Sequence, residues 1–216
     1  FDIDSQCVVI PAHAWTPWFA IFGSKSGFDS LEQCFEDLTP HIFAIETGLS
    51  SDPAMNWRLS KLNDISLISC SDAHSPENLG REANVFSGEQ VSYDGLTDAI
   101  RRGSYGGGAL TFDYTIEFYP EEGMYHLDGH RTCKFSCEPK ETKKHHGVCP
   151  VCKRQLTIGV LHRVDDLADQ YARVQTRSVG YKNIVPLPEI IGQSLGVNPK
   201  SKSARKEYIK VINRLG

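Results

Sequence analysis

Four of the seven cysteines, Cys133, Cys137, Cys149 and Cys152, fall within one span of twenty residues. Cys133-x3-Cys137 and Cys149-x2-Cys152 read as two knuckles separated by eleven residues, each bringing two thiolates to one tetrahedral ion. The sequence shows no secretory signal pattern, so such clustering favours metal over disulfides. Four thiolates close a zinc shell and leave no open position, which makes the expected site structural. His145 and His146 lie in the intervening loop as substitutes, but an all-cysteine shell is simpler. The metal would supply folding energy to a segment short of core. Cys7, Cys34 and Cys70 stand among apolar neighbours and read as small reduced hydrophobes.

Charge divides the chain. Residues 1–120 carry 17 acidic and 6 basic side chains, net −11, whereas residues 121–216 carry 10 acidic and 17 basic, net +7. An acidic half suits cations and a basic half suits polyanions; two differently charged domain surfaces would look the same. The basic excess includes Lys134, Lys140, Lys143, Lys144, Lys153, Arg154, Arg163, Arg173 and Arg177, then Lys200, Lys202, Arg205, Lys206, Lys210 and Arg214. Side chains of this kind bind phosphate backbones with release of counterions, which tilts the reading towards nucleic acid. No run of eighteen apolar residues exists, so no membrane span and a soluble, cytoplasmic protein are expected.

The first hundred residues alternate short apolar runs with amphipathic stretches, the pattern of parallel βα units. Strands are predicted at Val8–Ile10, Ile42–Glu46 and Ile65–Cys70. A capping box at Asp29–Glu32 opens a helix, and further helices are predicted over Pro53–Leu62 and Tyr93–Arg102. Ala109–Phe112 and Thr115–Tyr119 read as separate β segments. Beyond the cysteines, Val164, Leu167, Ala168, Tyr171 and Val174 recur at helical spacing, Pro186 and Pro188 mark a helix start, and Ala204–Leu215 reads as a basic terminal helix.

Ser71-Asp72-Ala73-His74 leaves the run Ile65–Cys70 directly. In extended backbone, residues two apart point the same way, so Asp72 and His74 would project together beyond the strand end. A carboxylate and an imidazole there suit zinc, manganese or iron, although a capping Asp beside a surface His explains most such pairs. His13 likewise follows an apolar run, and Glu46 ends another, with a capping or ion-paired role as its alternative. Catalytic groups gather at such strand ends in α/β barrels.

Three segments together carry a resemblance: Pro11-Ala12-His13-Ala14-Trp15-Thr16-Pro17-Trp18, Ser71-Asp72-Ala73-His74-Ser75-Pro76 and Leu79-Gly80-Arg81-Glu82-Ala83-Asn84. They resemble the later motifs of a PHP (polymerase and histidinol phosphatase) domain, in the variety found in the endonuclease Q family of DNA-repair nucleases. The resemblance continues through Glu117–Gly123, Tyr125–Arg131, the four cysteines, Leu156–Val160, Arg163–Ala168 and Pro186–Ile191. It implies an α/β fold: the C-terminal portion of a distorted (β/α)7 PHP-type barrel over 1–120, a four-cysteine zinc module over 121–160 and a basic helical DNA-binding region over 161–216. It also implies two or three divalent metals (zinc, with manganese or magnesium as alternatives) and cleavage 5′ to uracil, hypoxanthine or abasic sites. On this basis His13, Asp72 and His74 are expected metal ligands. Glu46 is a further candidate, and Arg81 is a candidate to support a metal ligand from behind or to contact phosphate, or else a surface ion partner of Glu82 or Glu77. The family's first-motif H-x-H pair and second-motif acid do not occur in the sequence. They are expected upstream of Phe1, which leaves the chain as given incomplete and inactive. The rival readings are a small-molecule phosphoesterase of the histidinol-phosphatase type, which would need neither zinc module nor basic half, and a non-catalytic nucleic-acid-binding zinc module.

Overall fold

The computed structural model describes residues 3–25, 27–171 and 177–215, which group into two compact units, Phe1–Lys182 and Asn183–Gly216. The first unit is a mixed α/β structure. Helix α1 (Leu31–Phe35) starts at Ser30, whose Oγ accepts the Gln33 N–H while Gln33 Oε1 accepts that of Asp29. The reciprocal cap therefore sits one residue later than the sequence suggested. Strand β1 (Ala44–Glu46) is followed by α2 (Pro53–Asn56) and by β2 (Ser66–Ile68), which pairs parallel to β1 with Ala44 opposite Ser66 and Glu46 opposite Ile68. Every residue of both strands is buried, as a parallel pair covered on both faces requires. Among the described residues the parallel sheet has these two strands.

Val8–Ile10 does not form the predicted strand. Pro11 has no N–H to continue a ladder, so the segment meets β1 only locally: Glu46 N–H donates to Pro11 O and Ala14 N–H to Glu46 O. The helix predicted to reach Leu62 stops at Asn56. Leu59 turns extended there, and Ser60 is pinned by Asp169, which accepts from its N–H (2.7 Å) and its hydroxyl (2.5 Å).

Strand β3 (Ala83–Gly88), absent from the sequence expectation, leads to α3 (Tyr93–Arg102) and to β4 (Leu110–Glu117). The two β segments expected around residue 113 form one strand, because a bulge opposite Val85–Phe86 absorbs the break in register. Phe86 stacks on Phe112 with centroids 4.8 Å apart. A hairpin of β5 (Asp128–His130) and β6 (Phe135–Cys137) follows, then α4 (Pro139–Lys144) and α5 (Val160–Leu167). Strand β7 (Gly180–Asn183) joins the free edge of β4. Helix α5 ends at Leu167, where Ala168 turns extended; Val174, expected to continue it, lies outside the described residues.

Val160 and Val164 of α5 are fully buried with Trp15, Phe22, Ile45 and Leu67. Helix α5 therefore packs within the first unit, whose boundary falls after Lys182. The second unit pairs α6 (Leu187–Leu195) with α7 (Lys202–Leu215). Gly192 permits their approach, since a Cβ there would stand 2.9 Å from the Pro199 ring. Among the described residues no helix is long and apolar enough to cross a membrane.

Candidate functional site

Two sites emerge, one at the strand ends and one in the hairpin. The exits of β1 and β2 lie side by side, tied by the Thr47 N–H donating to Ile68 O at 3.0 Å. His13 packs directly over the first exit: its N–H donates to Glu46 Oε2 at 2.5 Å. At Gly48 (φ 69) a Cβ would lie 3.0 Å from both Cα and Cβ of His13, so only glycine permits this approach. His13 (φ 31) and Asp72 (φ 41) both adopt left-handed backbone, a conformation that costs energy in a non-glycine residue and clusters at functional sites.

Asp72 and His74 are neighbours, but through a turn and not through strand alternation. The left-handed Asp72 breaks the extended path, and His74 Nδ1 donates back to the Asp72 carbonyl at 2.9 Å. That bond fixes the tautomer and leaves His74 Nε2 with its lone pair available as a ligand. Asp72 and His74 are exposed, whereas Glu46 is buried. Burial raises the Glu46 pKa; the His13 contact opposes the rise and the Asp72 charge adds to it, so Glu46 senses both residues. His13, Glu46, Asp72 and His74 do not close into a chelating group. Among the described residues the one group of three or more potential ligands with all donor atoms within 4.8 Å of one another lies elsewhere.

Arg81 Nε donates to the Ser71 carbonyl at 2.9 Å and so braces the loop one residue before Asp72. Asn84 exchanges two hydrogen bonds with the backbone of Ser69, at 2.9 and 2.8 Å, and Ser69 Oγ donates to Ile116 O. Below this loop lie two buried carboxyls that spacing arguments missed. Glu117, fully buried, accepts from Thr47 and Thr115 hydroxyls at 2.8 and 2.6 Å, and burial pushes its pKa up to about 7. Burial first and the Glu117 charge second push Glu82 up to about 8. Glu82 Oε1 accepts from Phe118 N–H, whereas the buried Oε2 has no hydrogen-bond partner. Both residues fall in segments that carry the family resemblance, but no local pattern marks them as buried.

In the hairpin, the ligand atoms of His130, Cys133, Cys149 and Cys152 all lie within 4.8 Å of one another. Cys149 N–H donates to Arg154 O and Lys153 N–H to Cys149 O, which closes the Cys149–Cys152 knuckle. A hydrogen bond with Cys152 first, then burial and the Cys149 thiol, push the Cys133 thiol up to about 11. Cys137, expected in the shell, stands outside this group with its Sγ 3.2 Å from Thr142 Oγ1. His145 packs edge-on to Phe135. All seven cysteines are free. The hairpin is joined to α5 by buried Asp128, which accepts from Gly159 N–H at 2.6 Å and meets His162 Nδ1 at 2.5 Å.

Of the basic side chains, Lys134, Lys140, Lys143, Lys144, Lys153 and Arg154 are exposed in the first unit. Lys200, Lys202, Arg205, Lys206, Lys210 and Arg214 are exposed in the second. Arg163 is not: it donates to the carbonyls of Phe22 and Phe28 and pairs with Asp29 at 2.5 Å. Arg173 lies outside the described residues.

The model of the PHP-associated family matches residues 55–105, from α2 through the Asp72 loop to the end of α3. The lesion-specific endonuclease PfuEndoQ from Pyrococcus furiosus superposes with a TM-score of 0.80 at 29% identity, over 96% of this chain and 50% of that one. A structure of endonuclease Q in complex with a 27-mer duplex substrate, with an abasic lesion at the active site, gives 0.83 at 29% identity over 97% and 51%. The chain resembles endonuclease Q over nearly its whole length. Two uncharacterised proteins are also similar. MJ0043 of Methanocaldococcus jannaschii is 28% identical over 99% of this chain and 27% of its own length; YqxK of Bacillus subtilis is 29% identical over 94% and 49%. The chain thus spans about half the length of the two endonuclease Q structures and of YqxK, and about a quarter of MJ0043.

Proposed function

We propose that this chain carries part of the catalytic apparatus of a metal-dependent DNA endonuclease that hydrolyses the phosphodiester 5′ to uracil, hypoxanthine or an abasic site. The supporting observation is the likeness to endonuclease Q, with metal-type donors at two adjacent strand ends within the matched region. The donor set fits divalent metals, two or three in number: carboxylate and imidazole groups suit zinc, manganese or magnesium. Asp72, His74 Nε2 and His13 would hold them, with Glu46 orienting His13 or joining them. Metals held by these residues would supply an acidified water and stabilisation of charge on the phosphoryl oxygens. Arg81 keeps the Asp72 loop in place through Ser71. The 1–120 portion is the partial PHP-type barrel, and the basic side chains of 121–160 and 161–216 grip the DNA backbone. A lesion is read after it leaves the stack, and the strand ends would receive the abasic or deaminated nucleotide. The sequence has no H-x-H pair, so the chain alone is expected to bind DNA without cutting it.

The test is product mapping on end-labelled duplexes carrying uracil, hypoxanthine or an abasic site, with the full-length polypeptide that contains this chain. A nick 5′ to the lesion that chelator abolishes is the expected result. Lesion-independent cutting, or cutting that survives chelation, would overturn the reading.

A further inference from the structure

We propose that Glu82 and Glu117 form one acid pair holding a single shared proton, and that this pair positions the loop that carries Asp72. Ala83 opposes Ile116 where antiparallel β3 and β4 meet, so the register carried one residue further sets Glu82 opposite Glu117. Side chains so placed share a face, with Cβ atoms about 4.5–5.5 Å apart. Both residues are buried, at 3% and 0% exposure. Two carboxylates out of water at that range cannot both stay ionised, and one proton between them removes the repulsion.

The hydrogen bonds decide which residue carries the proton. Glu117 Oε1 accepts from Thr115 Oγ1 at 2.6 Å and its Oε2 from Thr47 Oγ1 at 2.8 Å, so both oxygens are set as acceptors. Glu82 Oε1 accepts from Phe118 N–H at 3.3 Å, while its buried Oε2 has no partner among the described residues. A proton on that oxygen turns an unsatisfied acceptor into a donor beside Glu117. Nearby Glu46 and Asp52 favour its retention and Arg81 opposes it; the Cys70 thiol and Tyr181 hydroxyl, both pushed up in part by Glu117, are neutral around pH 7.

The same two strand ends hold the loop ahead of Asp72. Arg81 Nε donates to Ser71 O, Asn84 exchanges two bonds with the Ser69 backbone, and Ser69 Oγ donates to Ile116 O at 2.8 Å. Residues on either side of Glu82, and the residue before Glu117, therefore grip the loop from both strands. Loss of the shared proton drives Glu82 away from Glu117, and the loop loses that support.

The test compares the full-length wild-type polypeptide with Glu82→Gln, whose amide donates to Glu117 without a titrating proton. Infrared difference spectra at pH ~7 should show a protonated-carboxyl band in the wild type that Glu82→Gln lacks. The Ser69 amide should lose hydrogen-exchange protection above pH about 8 in the wild type and keep it in Glu82→Gln. Glu82→Ala, with no donor, should lose that protection at every pH. The effect on cleavage rests on the function proposed above. Wild-type kcat should fall about tenfold per pH unit above about 8, the slope of one ionisation, with KM for DNA unchanged and Glu82→Gln level over the same range. Absence of the carboxyl band in the wild type, or the same pH dependence of Ser69 protection in both proteins, would overturn the proposal. If band and protection behave as expected and lesion DNA is not cut, the proposed function fails and the acid pair is upheld.

Discussion

The His13 N–H donates to Glu46 Oε2 at 2.5 Å across a turn in which Gly48 has φ 69 and no room for a Cβ beside His13. The His13 segment is therefore held against the β1 exit by backbone geometry as well as by side-chain chemistry. Replacing Gly48 with Ala should cost about 1–3 kcal/mol, by imposing strained backbone and pushing His13 away. The loss should appear as a lower midpoint in urea unfolding, with cleavage by the full-length polypeptide falling further than stability does. A wild-type midpoint would show that the turn tolerates a side chain.

The buried carboxyls make stability depend on pH in a stated direction. Glu82 and Glu117 are raised to about 8 and about 7 from 4.5, so the folded state holds protons that the unfolded chain releases. Folding therefore loses stability as pH rises from about 4.5 to about 8. Glu82→Gln removes part of that loss. It should be close to wild type at pH 5 and more stable at pH 9, by on the order of a few kcal/mol. Unfolding curves at both values decide it; equal pH dependence in the two proteins would contradict the assignment.

Under the proposed DNA role, the exposed and the internally bonded basic side chains should behave differently. Lys140, Lys143 and Lys144 on α4 are exposed, and their joint replacement by Ala should reduce DNA affinity. The slope of log affinity against log salt should fall by up to about 0.9 for each phosphate that is no longer neutralised. Arg163 has its hydrogen bonds committed to Phe22, Phe28 and Asp29, so Arg163→Ala should lower stability and leave that slope unchanged. Mobility-shift titrations over a salt series distinguish the two. A changed slope in Arg163→Ala would place that side chain on DNA.

Much of this was legible in the sequence because it is local. The runs at Ile42–Glu46 and Ile65–Cys70 give β1 and β2 in outline, and the helix expected over Tyr93–Arg102 has the bounds of α3. Asp72 and His74 stand close together as the sequence suggests, but the left-handed Asp72 and its carbonyl bond to His74 pair them, not a strand period. Long-range features stayed hidden. Nothing near Glu82 or Glu117 shows that β3 and β4 bury both carboxyls, and nothing near Arg163 reveals its carbonyl partners 135 and 141 residues away. Cysteine spacing favours Cys133-x3-Cys137, whereas the β5–β6 register brings His130 to the group of Cys133, Cys149 and Cys152.

The central claim is that the Asp72 loop holds catalytic metal, and Asp72→Asn in the full-length polypeptide tests it most directly. Asparagine keeps the shape but offers a neutral, weaker oxygen, so metal is lost or its water is less acidic. Arg81 still braces the loop through Ser71, and the exposed basic side chains are untouched. Nicking of a uracil-containing or abasic duplex should fall by more than about a hundredfold, while the mobility shift on the same DNA stays near wild type. Cutting at close to the wild-type rate would contradict the account.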